Sequence, residues 1–181
     1  MSLEPKRQFK IREATLRDAV EVRKMQAESW LATYPNEDAG VPYDWVKERT
    51  DNWLTPERLK QSKNIFREVI TDQTQFYRLA ERSGQIIGFV HALTKEDNKK
   101  ELEALYILPE VFGSGVGQQL MALANEWIGR AEVGLTVASY NKRAIGFYQK
   151  NGFEIVLGSE STYADKIPVV RMVRKGDDRE I

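Results

Sequence analysis

The chain has 181 residues, 41% hydrophobic and 30% charged, a composition that suits one globular domain with a substantial core. Lys plus Arg and Asp plus Glu number 27 each, so net charge supplies no pull toward nucleic acid or anionic membrane. With no cysteine and one histidine, disulfides, thiolate metal sites, cysteine nucleophiles and histidine-rich metal centres are excluded.

No apolar run approaches the roughly 20 residues of a membrane span, and Met1 to Pro5 carries no signal-peptide core. The expectation is a cytoplasmic, metal-free protein without nucleic-acid or membrane partners. The run "FKIREAT" (9–15) alternates and predicts a first strand. Thr15 then suits an N-cap, with Asp18 three residues on. Ala19, Val22, Met25, Gln26 and Trp30 share one face of the helix that follows. Pro35, Gly40 and Pro42 break it. A second helical region runs from about Trp45 to Asp72, with Thr55-Pro56 reading as a fresh helix start.

"QFYRLAERS" and "QIIGFVHALT" read as a hairpin about Ser83-Gly84, and His91 as a side chain packed on a sheet face. "ELEALYIL" is a further strand, and it feeds "PEVFGSGVGQQL". The stripe Leu120, Leu123, Ala124 and Trp127 marks an amphipathic helix. "VGLTVAS" is a short strand. "NKRAIGFYQKN" is a short helix opened by Asn141, with Gly152 as its C-cap. "FEIVLGS" and "IPVVRMVRK" are the last strands, and 176–181 is expected to fray. The order predicts one domain over 1–181, a mixed sheet with helices on its faces, of the α/β or α+β class.

The glycines at 113, 115 and 117 do not form a P-loop, because Gln118 and Gln119 follow where a lysine would be needed. Their spacing and late position also differ from a dinucleotide fingerprint. Two readings stay open: a phosphate seated on backbone N–H groups at a helix N-terminus, or a tight turn with no ligand.

A second motif bears on that choice. "ELEALYILPEVFGSGVGQQL" and "NKRAIGFYQKNGFEIV" together resemble the GNAT superfamily of acyl-CoA-dependent N-acyltransferases. The family signature is Gln/Arg-x-x-Gly-x-Gly/Ala. Gly115 and Gly117 match its small positions, while Phe112 stands where Gln or Arg is usual. Phe112 loses the polar side chain but keeps a backbone N–H, so binding is expected to survive.

The resemblance implies a mostly antiparallel sheet of about seven strands, with acetyl-CoA as co-substrate in a crevice between a splayed strand pair. Backbone groups at Leu105, Tyr106 and Ile107 would pair with the pantetheine arm. Amides of Phe112, Gly113, Ser114, Gly115, Val116, Gly117 and Gln118 would hold the pyrophosphate. Asn141 would bond the arm or simply cap its helix, with Ala144 also counted as a cofactor contact. Lys142 and Arg143 would touch CoA phosphates or remain solvated.

Tyr148 matches the family tyrosine that protonates the departing thiolate; the other reading is a core aromatic. Glu101 and Glu103, on the same parity of one strand, are candidate bases for the amine, against solvated carboxylates or a water chain. Trp30 and Tyr34 form a W-x-x-x-Y pattern that resembles a subset of bacterial and archaeal members, polyamine acetyltransferases among them. They are candidate acceptor contacts, with core packing as the other reading. Glu28, Glu37, Asp38 and Asp44 put carboxylates nearby.

The implied activity is direct acetyl transfer to a primary amine, with a small amine such as a polyamine first. A peptide or protein N-terminus, or a lysine, is the alternative acceptor. A non-catalytic acyl-CoA sensor is the reading of another class, and a ligand-free structural domain the third. A homodimer is compatible with the resemblance.

Overall fold

Eight strands form one sheet in the computed structural model, which describes residues 9–176. The elements in chain order are β1 (Lys10–Glu13), α1 (Ala19–Thr33), α2 (Tyr43–Trp53), α3 (Pro56–Thr71), β2 (Gln75–Arg82), β3 (Gln85–Thr94), β4 (Lys100–Ile107), α4 (Val116–Ile128), β5 (Val133–Ala138), α5 (Lys142–Lys150), β6 (Glu154–Ile155), β7 (Ser161–Tyr163) and β8 (Ile167–Arg174). Strand order is β1-β2-β3-β4-β5-β8-β6, with β7 also paired to β8. Every pairing is antiparallel except β4 with β5. Apart from Gly176, the expected tail lies outside the described residues, as do residues 1–8. Among the described residues, no helix is long and apolar enough to cross a membrane.

Alternating apolar residues bury both faces of the sheet. Phe76 stacks on Trp127 of α4, while its neighbour Tyr77 meets Phe66 of α3 edge-on, so α4 and α3 cover opposite faces. His91 sits among these rings, 5.3 Å from Tyr77, with Nε2 2.7 Å from Gln75 Oε1. Burial pushes its pKa down to about 4, which leaves it neutral at pH 7. A second apolar cluster joins Trp30, Val41 and Val46 to Ala138, Ile167 and Val169, and ties α1 and α2 to the ends of β5 and β8.

The sheet has eight strands rather than about seven. The extra one, β7, forms a hairpin with β8, and Ala164 and Asp165 at its turn carry positive φ of 52° and 60°. That turn lacks the Gly or Asn that marks such geometry in a sequence. The predicted last-but-one strand shrinks to β6, two residues long. Thr15 opens a short 3-10 turn over Leu16–Asp18 before α1, and Asp18 accepts from the Thr15 N–H at 2.7 Å.

β4 and β5 touch over two residue pairs alone, Lys100 with Val133 and Glu101 with Gly134. Beyond them the strands separate. Buried Glu101 holds the junction: its Oε2 accepts from Arg171 Nη2 of β8 at 3.0 Å and lies 3.1 Å from Lys95 Nζ, and its Oε1 pairs with Arg171 Nη1. A Cβ on Gly134 would fall 2.1 Å from Arg171 Nη2. Only glycine lets the guanidinium cross β5 to reach Glu101. Gly134→Ala should therefore push the pair apart and lower stability by about 1–3 kcal/mol, below the value for a fully buried pair because the Arg171 side chain is 35% exposed. Denaturant unfolding of the two proteins measures it, and an unchanged midpoint would refute the clamp.

A second ion pair controls acid stability. Hydrogen bonds from Arg12, at 2.8 and 2.9 Å, hold the Asp18 carboxyl down to about 2 against 3.8 for a free aspartate. A depressed folded-state pKa stabilises the fold above the unfolded value. This contribution is thus complete above about pH 4 and disappears as pH falls toward 2. Asp18→Asn should be less stable at pH 7 and should flatten the Tm-versus-pH curve within that window.

Candidate active site

The separation of β4 from β5 opens a cleft of about 300 Å³. Its β4 wall begins with a bulge. Ala92 pairs with Leu102 and His91 with Ala104, which leaves Glu103 as an extra residue on β4. The bulge breaks the parity expected of Glu101 and Glu103. Glu103 is exposed and lines the cleft, whereas Glu101 is buried beside Arg171 and is absent from the lining. Burial alone would raise the Glu101 pKa, but the hydrogen bonds from Arg171 and Lys95 outweigh it and hold it below the ordinary glutamate value.

Past the bulge, the Leu108 N–H donates to Ile87 C=O at 2.9 Å. That bond sets the phase of the antiparallel ladder: Tyr106 and Ala104 bond to β3, while Leu105 and Ile107 turn their N–H and C=O groups toward the cleft. Ser29 Oγ on α1 lies 3.5 Å from the Ile107 carbonyl oxygen. On the opposite wall stand Thr136, Val137 and Ala138 of β5, which sequence reasoning did not assign to the site. Their only signal was an apolar strand running into Asn141.

The glycine turn follows β4 directly. Gly113 and Gly115 have φ of 76° and 90°, which a side chain would strain. The first bond of α4 runs from Gln119 N–H to Gly115 C=O. Val116, Gly117 and Gln118 therefore present N–H groups without partners inside the helix, at its positive end. The expected set of seven open amides is corrected at two positions. Phe112 N–H donates to Pro109 C=O at 3.0 Å, and Ser114 N–H to Val111 C=O at 3.2 Å, because a 3-10 turn over Pro109–Val111 tightens the approach. Gln118 donates its side-chain amide to Asn151 Oδ1 at 3.2 Å.

Phe112 is 40% exposed and lines the cleft mouth. The Arg143 guanidinium of α5 lies 3.0 Å from its ring centroid, so an aromatic at 112 gains a cation–π partner across the mouth. Asn141 caps α5 by accepting from the Ala144 N–H at 3.1 Å, and both residues line the cleft. At Gly117 an added Cβ would meet the Ile107 and Phe147 side chains at 3.4 and 3.8 Å, ordinary packing distances.

Tyr148 projects from α5 between Phe147 and Phe153 and lines the cleft. Its hydroxyl has no hydrogen-bond partner among the described residues and is not sealed from solvent. Burial pushes its pKa well above the ordinary tyrosine value, so the phenol keeps its proton.

At the far end, Tyr34, the C-cap of α1, lines the cleft and its hydroxyl lies 3.2 Å from that of Tyr106. Trp30 does not reach the lining. It is 3% exposed in the second apolar cluster, and its Nε1 donates to Tyr106 Oη at 3.1 Å. Tyr140 Oη donates to the Tyr34 carbonyl at 2.7 Å. Among the described residues, no group of three His, Asp or Glu side chains could hold a metal ion.

Residues 72–155 match the sequence profile of the Acetyltransferase (GNAT) domain. An uncharacterized N-acetyltransferase of Mycobacterium tuberculosis is 37% identical over 94 residues, 50% of this chain and 60% of that protein, so the chain spans less than two thirds of that relative. An uncharacterized N-acetyltransferase of Archaeoglobus fulgidus is 33% identical over 100 residues, 50% of this chain and 68% of its own length. The peptidyl-lysine N-acetyltransferase YjaB of Escherichia coli is 29% identical over 111 residues, 61% of this chain and 70% of that protein. Among solved structures, the PaiA N-acetyltransferase of Thermoplasma acidophilum, in complex with coenzyme A, superposes with a TM-score of 0.71 over 94% of this chain and 99% of its own, at 23% identity. That fold, the archaeal relative and the domain match converge with a splayed strand pair that ends in a glycine turn: the chain belongs to the GNAT family of acetyltransferases.

Proposed function

We propose that the protein moves an acetyl group from acetyl-CoA directly to a primary alkyl amine. One observation carries this reading: a single cleft combines unpaired strand backbone, a protonated phenol and one carboxylate, and the glycine turn borders it at Phe112 and Gly117. The pantetheine arm is a chain of amides, and it would extend β4 by bonding Leu105 and Ile107 as a strand would. The pyrophosphate would sit on the N–H groups at Gly113 and from Gly115 to Gln118.

In the reaction, the amine nitrogen attacks the thioester carbonyl carbon. A C–N bond forms, and the C–S bond breaks. Backbone N–H groups of β4 stabilise charge on the carbonyl oxygen. Tyr148 gives its proton to the departing thiolate and regains one from solvent. The proton on the amine leaves through Glu103, directly or by water. Glu103 is favoured over Glu101, whose oxygens already carry two cations.

A small cationic amine such as a polyamine suits an acceptor end built from Tyr34, Tyr106 and Glu103, which pairs aromatic faces with one carboxylate. A lysine side chain is the second reading, favoured by the likeness to a peptidyl-lysine acetyltransferase. Both present the same alkyl ammonium.

CoA release from acetyl-CoA, measured against spermidine, spermine, amino acids and lysine-containing peptides, tests the proposal. Tyr148→Phe should lower kcat by about 10²-fold and leave acetyl-CoA affinity unchanged. Equal turnover in the mutant would remove the acid role, and failure of the wild type to bind acetyl-CoA would remove the proposal itself. Because the Tyr148 pKa is raised, the wild-type rate should show no loss from this group up to about pH 10.

The two glutamates should separate cleanly. Glu103→Gln should lower kcat/KM about tenfold or more with Tm unchanged. Glu101→Gln should lower Tm, because Arg171 and Lys95 lose their counter-charge. The reverse pattern would return the base to Glu101.

A further inference from the structure

We infer that the concavity enclosed by α1, α2 and α3 is a second binding site, one for a small organic oxyanion of two or more charges. The cavity measures about 560 Å³, and none of its lining residues is shared with the cleft. Each helix contributes one arginine: Arg23 from α1, Arg49 from α2 and Arg58 from α3. Glu48 is the single carboxylate in the lining. Among the described residues, none of the three arginines forms an ion pair. Elsewhere among the described residues, Arg12, Arg78, Arg82 and Arg171 are paired with carboxylates, whereas Arg17, Arg67, Arg130, Arg143 and Arg174 are not, so what distinguishes these three is that they line one cavity together.

All three guanidiniums contact neutral groups, two of them an indole. Arg23 lies 5.5 Å from the Trp53 ring centroid, donates from Nε to Ser62 Oγ at 3.2 Å and from Nη1 to Gln26 Oε1 at 2.9 Å. Its Nη2 has no acceptor among the described residues. Burial pushes the Arg23 pKa down, with no carboxylate to offset it. Arg49 lies 5.0 Å from the Trp45 centroid, and Arg58 donates to Gln61 Oε1 at 3.2 Å. A guanidinium stacked on an indole is oriented without being neutralised. Its remaining N–H fork suits a carboxylate or a phosphate, which bind it in two-point geometry. Three cations against one carboxylate favour a ligand with more than one negative charge. The volume admits an organic body as well as the charged groups.

Phosphate esters and polycarboxylates share this chemistry, and separate probes tell them apart. The full-length chain, with saturating CoA to fill the cleft, is titrated with citrate, AMP and inorganic phosphate, and with adenosine as the neutral control. Tryptophan fluorescence reports directly, because Trp45 and Trp53 form the walls. Citrate or AMP should bind saturably, more weakly as salt rises, and adenosine should not. Arg23→Gln and Arg49→Gln should each weaken binding about tenfold or more. CoA affinity should be unchanged in both. Arg49 makes no hydrogen bond to the described residues, so its variant tests the site even if Arg23→Gln unfolds. Citrate alone identifies a polycarboxylate, AMP alone a phosphate ester, and phosphate with AMP the phosphate group itself. No saturation by any probe up to about 10 mM, an affinity near 3 kcal/mol, would overturn the inference. So would binding that both variants retain.

Discussion

The site depends on β4 and β5 pairing at one end and separating at the other. Two parallel strands left unpaired in mid-sheet expose backbone groups that a fold normally satisfies. Three features permit it here. Glu101, Arg171 and Lys95 lock the paired end, with Gly134 giving the guanidinium passage across β5. The Glu103 bulge interrupts the β3–β4 register just beyond the lock, a place where strands bend. Trp30, Ala138 and Ile167 then pack together in a second apolar cluster at the far end of β5. The gap is thus held open from both ends by packing and charge, and its free backbone groups form a wall complementary to an amide-bearing arm.

Once the strands diverge, the other parts follow from where each element starts. The chain leaving β4 must turn into α4 within a few residues, and two left-handed glycines make that turn while leaving amides at the helix's positive end. The chain leaving β5 enters α5 through the Asn141 cap, which sets the helix so that Tyr148 faces the gap two turns on. Phe112 before α4 and Arg143 in the first turn of α5 meet across the mouth. An aromatic at 112 therefore exchanges a polar side chain for a stacked cation that comes from the opposite side of the same opening.

Much of this was legible in the sequence, because it rests on local signals. The hairpin at Ser83-Gly84, the glycine turn and the Asn141 cap each carry their own turn or capping chemistry, and each is where the residues indicate. What was not legible is non-local. The bulge at Glu103 arises from pairing with β3, so an even count along β4 made Glu101 and Glu103 look equivalent when one is a strut and the other faces the cleft. The partner of Glu101 is 70 residues away on β8, beyond any local pattern. β7 was missed because Ala164-Asp165 turns with positive φ without the residues that usually announce it. The amides of Phe112 and Ser114 were counted as open because a 3-10 turn leaves no clear trace in composition.

Trp30 shows how a residue outside the site can still shape it. Its burial answers the question of core or contact in favour of core, yet its indole N–H donates to Tyr106 Oη, and Tyr34 shares the same phenol. A buried phenol with two defined partners has one favoured orientation, so this end of the cleft is fixed from behind. On its other side Trp30 meets Trp53 edge-on, with ring centroids 4.7 Å apart, and Trp53 forms a wall of the arginine-lined cavity. The aromatic W-x-x-x-Y pair is thus a partition. One of its rings lines the cleft, the other packs against the wall of the neighbouring cavity, and the last turn of α1 and its C-cap present them one helical turn apart.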